Sequence, residues 1–363
     1  MVSQLMPEQQ FGSHRIHLCQ KKHINELMKF INEYWSSNHI LSSHQGLMDW
    51  LYYDDVREQY NFALARSNKS DEIIGILGFI PTHHFDEDLL DRSVTWLSIW
   101  QVREDIEQSG FGLQLLNFVS QYLSPVAVGA IGINDEVARI YRRLNYDVDT
   151  LNHYYMVNQS LSNFSLLDNF DGQYNSGVDT STHAALREVT EVFNEVGTQT
   201  DLEKSTDDVV PTFSTEYIRN RYVEHPFFDY RLFTIDRDDG KEGILTMRPV
   251  VHEGSRALRW VEYLGDPEAL VGIGSSLQSL LTESGAEYID IYNAGVDPDL
   301  FGSAGMRLRS DNSDIVVPDY FAPFEQKNVD IKYAFKSSQG AKPIIYNGHS
   351  DMDRPNRLED VDE

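Results

Sequence analysis

The stretch EQSGFGLQLLNFV, residues 107–119, places two glycines one residue apart where a helical pattern begins. Glycine weakens a helix by roughly 1 kcal/mol relative to alanine, so a pair of them needs a reason. Two reasons are available. The unpaired N–H groups and positive dipole end of a helix N-terminus can receive a phosphate, which glycine lets come close. Alternatively, the pair allows a tight turn and close packing of the helix on a sheet. The run SVTWLSIWQV, 93–102, reads as a strand leading into this turn, and VAVGAIGI, 126–133, reads as a buried strand after the helix. Strand, turn, helix and strand in this order imply an α/β layer. Without G-x-G-x-x-G or G-K-[ST], the stretch matches neither a dinucleotide fingerprint nor a P-loop.

Working outward, HINELMKFINEYW (23–35) puts Ile24, Leu27, Met28 and Ile31 on one helical face. NFALARS (61–67) and EIIGILGFIPT (72–82) read as strands around the polar turn NKSD. NDEVARIYRRL (134–144) reads as a helix with Asn134 as N-cap and two acids in its first turn. HYYMVN (153–158) closes this half as a strand. A polar, turn-rich segment follows, and ALREVTEVFNEV (185–196) reads as a short helix. From about Phe213 the pattern restarts: the helix TEYIRNRYVEH, the strands YRLFTID, EGILTMRPV and ALRWVEYLG, the helix ALVGIGSSLQSLLTES, and the strands YIDIYNAG and IKYAF. The halves share the order helix, strands, helix, strand, which predicts a degenerate repeat of one α/β unit. The expected organisation is a domain over 1–158, a linker with a short helix over 159–205, and a second domain over 206–363.

The 363 residues suffice for two domains with their own cores. A formal charge of −27 argues against nucleic acid as the main partner, because phosphate backbones are bound by clustered Lys and Arg. Of the 30 basic residues 20 are Arg and 10 are Lys. The single cysteine, Cys19, excludes an intramolecular disulfide and any Cys-rich metal site. No apolar run is long enough for a membrane span, and MVSQLMPEQQFGSHRIH lacks a signal-peptide pattern. The expectation is a cytoplasmic protein without membrane partners.

The two motifs together resemble the GNAT superfamily of acyl-CoA-dependent N-acyltransferases. There a strand leads into a [R/Q]-x-x-G-x-[G/A] turn, and a later strand is followed by N-x-x-A-x-x-x-Y-x-x-x-G-[FY]. Here the first motif is Glu107-Gln108-Ser109-Gly110-Phe111-Gly112, with Glu107 where the family has Arg or Gln. The second is matched by Asn134, Ala138, Tyr141 and Tyr146, with Asn145 in place of the glycine. The runs IIGILGFIPTHHFD, WLSIWQVRED, GFGLQLL, EYIRNRYVEHPFFDY, VPDYFAPFE and GHSDMDRPN look similar to a bacterial GNAT group encoded with surface-polysaccharide biosynthesis. The resemblance implies an α/β (α+β) mixed-sheet fold in two tandem GNAT-like domains, the second degenerate. It implies acetyl-CoA or another acyl-CoA as cofactor and an amino sugar, on a nucleotide or lipid diphosphate, as acceptor.

The resemblance also assigns residues. The strand before the glycine turn splays from its neighbour and binds pantetheine through its backbone, at Ile99, Trp100, Gln101 and Val102. Gln108, Ser109, Gly110, Phe111, Gly112 and Leu113 would receive the diphosphate, and Asn134 and Ala138 complete the cofactor set. Tyr141 is the implied general acid. It also sits on the apolar face formed by Val137, Ile140 and Leu144, so a buried core tyrosine reads the same way. For the base, Glu104 and Asp105 follow the splayed strand, and His83, His84 and Asp86 follow GILGFIP, with His83 and Asp86 also read as substrate contacts; a water chain is the alternative. Adjacent histidines suggest metal binding, but no spaced third ligand follows, so no metal is expected. GHSDMDRPN (348–356) holds His349, Asp351, Asp353, Arg354 and Asn356, read either as a polar tail or as contacts to a sugar or phosphate. Gly272 and Gly274 repeat the spacing after the acidic DPE, which suits phosphate poorly, so one cofactor site is expected. A Fem-type aminoacyl transferase and a non-catalytic binding protein stand as alternatives, and the sequence leaves a homodimer open.

Overall fold

A computed structural model describes residues 8–106, 110–170, 184–189, 209–211, 213–309, 314–338 and 340–357. The chain divides into two compact units, Met1–Ile131 with Asn356–Glu363, and Gly132–Pro355. The division comes earlier than the expected boundary after residue 158. The reason is pairing: the strand Asn152–Val157 lies inside the sheet of the second unit, bonded along its length to Tyr288–Ala294.

The first unit is built on the strands β1 (Gln9–Phe11), β2 (His14–Gln20), β3 (Tyr53–Asp54), β4 (Gln59–Ser67), β5 (Ile73–Pro81), β6 (Val94–Val102) and β7 (Ala127–Ile131). They pair in the order β1-β2-β4-β5-β6-β7, with β3 also on β4. All contacts are antiparallel except β6–β7, which is parallel. A parallel pair needs a crossover, and the helix α4 (Phe111–Leu123) supplies it. On α4, Phe111, Leu115, Leu116, Phe118 and Val119 are buried, at the spacing that lays one face on β4, β5 and β6. Each such side chain contributes about 1.5–3 kcal/mol by leaving water. The helix stops at Ser124, which is left-handed at φ 46°. β5 reads as an uninterrupted apolar run and β4 is apolar over Phe62–Ala65, because both strands are buried on both faces.

Helix α1 (Ile24–Phe30) follows the periodic reading and runs on as a wider π turn through Trp35. Helices α2 (Ile40–Ser43) and α3 (Gln45–Tyr52) and the strand β2 carry no reading from sequence; HRIHLCQ alternates buried and half-buried residues only because one face meets the core. Cys19 is buried on β2, and burial pushes its thiol up to about 12.

The second unit opens with α5 (Asp135–Arg143). Asn134 Oδ1 accepts from Val137 N at 2.9 Å, acids begin the helix, and Arg142 and Arg143 end it, as its macrodipole favours. Asn145 then adopts φ 59°, the left-handed turn that its family-deviant side chain tolerates. The strands are β8 (Asp147–Thr150), β9 (Asn152–Val157), β10 (Ala185–Val189), β11 (Val209–Val210), β12 (Arg231–Asp236), β13 (Gly243–His252), β14 (Ser255–Gly265), β15 (Tyr288–Ala294), β16 (Arg307–Leu308), β17 (Lys332–Ser337), β18 (Lys342–Pro343) and β19 (Ile345–Tyr346). The main sheet has the order β10-β12-β13-β14-β15-β9-β16, with β19 also on β15, while β8 pairs with β17. The expected helix over 185–196 is a strand over 185–189, bonded edge to edge with β12, and the rest of it lies outside the described residues. Backbone pairing on an available edge overrode the helical spacing.

The repeat holds at the level of topology. In each unit an antiparallel pair (β5–β6, β13–β14) leads through a helix (α4, Gly274–Ser284) to a parallel strand (β7, β15). The second core is centred on Trp260, Leu245, Met247, Leu277, Ile289 and Phe301, all almost fully buried.

Candidate functional site

β6 runs from Val94 to Val102, but its ladder with β7 covers only Val94–Leu97 against Ala127–Ala130. Beyond Leu97, residues 100–102 of β6 stay paired with β5 while the β7 ladder has ended. The change coincides with a bulge: the β5–β6 register shifts between Leu77 and Phe79, opposite Ser98 and Ile99. A bulge turns the strand locally and sharpens its twist, which is what separates β6 from β7. Gly78 sits at that bulge, where a β-carbon would stand 2.4 Å from Ser98 Oγ. Ile99, Trp100, Gln101 and Val102 thus occupy the splayed segment, with Ile99 buried and the other three half-buried. Gln101 Nε2 folds back to donate to Val102 O at 2.8 Å.

The turn after β6 explains the two glycines differently. Gly110 is the N-cap of α4 in the left-handed region, φ 78°, and among the described residues nothing lies within 4 Å of where its β-carbon would stand. Its role is conformational. At Gly112 a β-carbon would stand 3.2 Å from the Trp100 indole, so there the requirement is close helix–sheet packing. Phe111 is buried against His14, ring centroids 4.5 Å apart, and reaches over Gly75. It can offer a ligand only its backbone. Leu113 N bonds to Gly110 O at 3.1 Å, and the Phe111 and Gly112 N–H groups of the first turn have no backbone acceptor among the described residues. Glu107, Gln108 and Ser109 lie outside the described residues.

Arg103, which carries no assignment from sequence, is the cation beside this turn. Its Nε and Nη2 hold Asp105 at 2.9 and 2.7 Å, its Nη1 reaches Glu72 at 3.2 Å, and its guanidinium lies 5.4 Å from the centre of the Tyr34 ring. Only the signal "first basic residue after the splayed strand" could have marked it. Asp105 is held below the usual carboxylate range by that hydrogen bond. Glu104 is exposed and makes no hydrogen bond among the described residues.

The other base candidates are tied into the fold. His84 Nε2 lies 3.1 Å from Trp50 O, and His83 Nδ1 lies 2.8 Å from Ser93 Oγ. Burial holds His83 down to about 4, so it is neutral at pH 7. Asp86 caps the turn Glu87–Arg92 by accepting from Asp88 N at 3.0 Å.

The remaining candidates belong to the second unit. Tyr141 is 1% exposed, its ring 4.8 Å from that of Tyr146, and burial drives its hydroxyl pKa upward. Ala138 is fully buried, and Asn134 spends its side chain on the helix cap.

GHSDMDRPN is no polar tail. β14 repeats the behaviour of β6: it extends to Gly265 but meets β15 only at Leu258 and Arg259. The gap is filled by the chain itself. β19 bonds to β15 at Asn293 and Ala294, and Gly348 N donates to Val261 O at 2.8 Å. A β-carbon on Gly348 would stand 2.5 Å from that carbonyl, so only glycine lets the segment enter. His349 is fully buried with Nε2 3.0 Å from Glu262, whose carboxylate also accepts from Tyr222 OH at 3.2 Å and Tyr263 N at 3.1 Å. Arg221 donates to Ser350 O at 2.8 Å and to Asp353 at 3.3 Å, and Tyr230 OH donates to Asp353. Asp351 takes both Nε and Nη2 of Arg354, at 3.1 and 2.8 Å. His349, Asp351, Asp353 and Arg354 are thus held by partners within their own unit.

Among the described residues no cluster of three or more His, Cys, Asp or Glu is placed to hold a metal ion, and no helix is long and apolar enough to cross a membrane.

No protein-family model and no curated protein matches the sequence. Solved structures do match by shape. A GCN5-related N-acetyltransferase from Anabaena variabilis aligns at TM-score 0.52 and 10% identity, over 89% of this chain and 72% of that one. One from Kribbella flavida aligns at TM-score 0.51 and 11% identity, over 89% and 71%. At such identities the likeness speaks to architecture, and with the two mixed sheets it establishes that this chain has the fold of the GNAT acyltransferases.

Proposed function

We propose that the protein is an acyl-CoA-dependent N-acyltransferase, transferring an acetyl group to the amine of a nucleotide-linked amino sugar in cytoplasmic polysaccharide biosynthesis. The observation that carries the reading is the splay of β6. β6 runs on past Leu97, where its ladder with β7 ends, and leads towards a left-handed turn at Gly110, an arrangement that fits an extended pantetheine and a diphosphate. In the second unit the corresponding gap is closed by residues 345–348, which supports a single cofactor site.

Acyl-CoA supplies the thioester. The backbone N–H groups of residues 99–102 hold the pantetheine arm and meet the negative charge that develops on the carbonyl oxygen. The first-turn N–H groups of Phe111 and Gly112, with the α4 dipole, hold phosphate oxygens. Glu104, the one base candidate without a described hydrogen bond, takes the proton of the attacking amine, directly or through water. The sequence resemblance names Tyr141, whose hydroxyl burial keeps protonated, as the acid for the departing thiolate. The specific amino-sugar acceptor rests on the sequence resemblance.

Titrating acetyl-CoA into the pure protein by calorimetry, and then following CoA release with a panel of nucleotide amino sugars, tests the proposal. Absence of acetyl-CoA binding, or binding indifferent to Gly110→Val, sinks it. Binding without release against any amino sugar sinks the acceptor assignment alone.

A further inference from the structure

A second candidate site lies in the first unit, in a cavity of about 720 Å³ bordered by β2, the start of α1 and the β4–β5 turn. Its defining residue is Arg66, at the end of β4 and only 3% exposed. Arg66 Nη1 donates to Glu26 Oε2 and to Asp71 O, both at 2.8 Å. Its Nε and Nη2 have no acceptor among the described residues. Those two N–H groups form the parallel edge that guanidinium uses to grip an oxyanion. The chain fills that edge elsewhere: Arg231 puts it on Glu188 at 2.7 and 2.8 Å, and Arg103 puts it on Asp105 at 2.9 and 2.7 Å. Leaving it without an acceptor on a buried arginine is costly, and such groups call for a partner.

The wall beside Arg66 suits a small anion. His23 Nδ1 is also buried without a partner among the described residues, and its ring lies 5.2 Å from that of His17. Burial lowers both imidazoles, His23 to about 4, so at pH 7 they are neutral hydrogen-bonding groups. Four carboxylates border the cavity, and each already has an arginine. Glu26 pairs with Arg66, Glu8 and Asp71 with Arg15, and Glu72 with Arg103. Lys22, on the rim, makes no ion pair among the described residues.

We propose that this cavity binds a small oxyanion, a carboxylate or phosphate group, with Arg66 Nε and Nη2 donating to two of its oxygens, His23 Nδ1 beside them and Lys22 at the entrance. The site is independent of the acyl-CoA reading and gives the protein a second ligand, a regulator or the anionic part of a larger molecule.

The test titrates the full-length protein with sodium phosphate and with sodium acetate, separately and at matched ionic strength, reading heat and melting temperature. The expected result is a saturable response to at least one anion, and the better of the two identifies the group. Arg66→Lys keeps a charge for Glu26 but loses the parallel edge, and should weaken binding at least tenfold. His23→Phe leaves the Arg66–Glu26 pair intact and should weaken it several-fold, which keeps the test decisive should Arg66→Lys fail to fold. No saturable response to either anion in the wild type, or an undiminished response in whichever variant folds, overturns the proposal. Acetyl-CoA affinity in the same samples should not change, so failure here and failure of the acyl-CoA reading are told apart.

Discussion

The indole of Trp100 lies 3.2 Å from the point where a β-carbon on Gly112 would stand, so the splayed strand and the first turn of α4 are packed directly on each other. Any change at Gly112 is therefore felt by the strand edge proposed to bind pantetheine. Gly112→Val should cost about 1–3 kcal/mol of stability through overpacking. It should also weaken acetyl-CoA binding and shift Trp100 fluorescence.

Gly110 makes the opposite prediction. With φ 78° and no described residue within 4 Å of its β-carbon position, it is constrained by its backbone. Gly110→Asn should fold with little loss because asparagine tolerates the left-handed region, whereas Gly110→Val should lose both stability and acetyl-CoA affinity. Thermal melts and calorimetry of the pair separate backbone strain from steric blocking of the ligand.

Tyr141 is buried, and its raised pKa keeps the hydroxyl protonated through neutral and mildly alkaline pH. If it is the acid, Tyr141→Phe should lower kcat by about 10²-fold or more while leaving KM near the wild-type value. A loss of melting temperature with unchanged kcat would make it a core residue instead.

Burial holds His83 and His23 down to about 4, against 6.5 for an unconstrained imidazole. The folded pKa is depressed, so the contribution to stability is present above about pH 6.5. It is lost as pH falls towards 4, because the unfolded chain binds protons the folded chain resists. Urea midpoints should drop across that interval, and less so in His83→Asn.

Glu262 is fully buried and holds Tyr222, the Tyr263 amide and His349 together. Glu262→Ala, leaving those groups unpaired, should cost about 3–5 kcal/mol. Asp353→Asn is the informative companion: if GHSDMDRPN is held for structure, it lowers the melting temperature without moving KM for the acceptor.

What the sequence determined by itself were the local features. The strand–turn–helix around Gly110, the Asn134 cap, the long buried strands of both halves and the repeat that links them follow from periodicity, capping and glycine placement, which act over a few residues. What tertiary structure decided were long-range pairings. Residues 185–189 became a strand because β12 offered an edge. Residues 152–157 joined the second sheet because β15 did. The two glycines at 110 and 112 differ in purpose only because Trp100 stands beneath one of them. His349, Asp351, Asp353 and Arg354 read from sequence either as a polar tail or as contacts to a sugar or phosphate, and their burial was decided by β14 parting from β15 and the chain filling the gap. Burial and cross-sheet register are set by residues far apart in sequence, so no local pattern carries them.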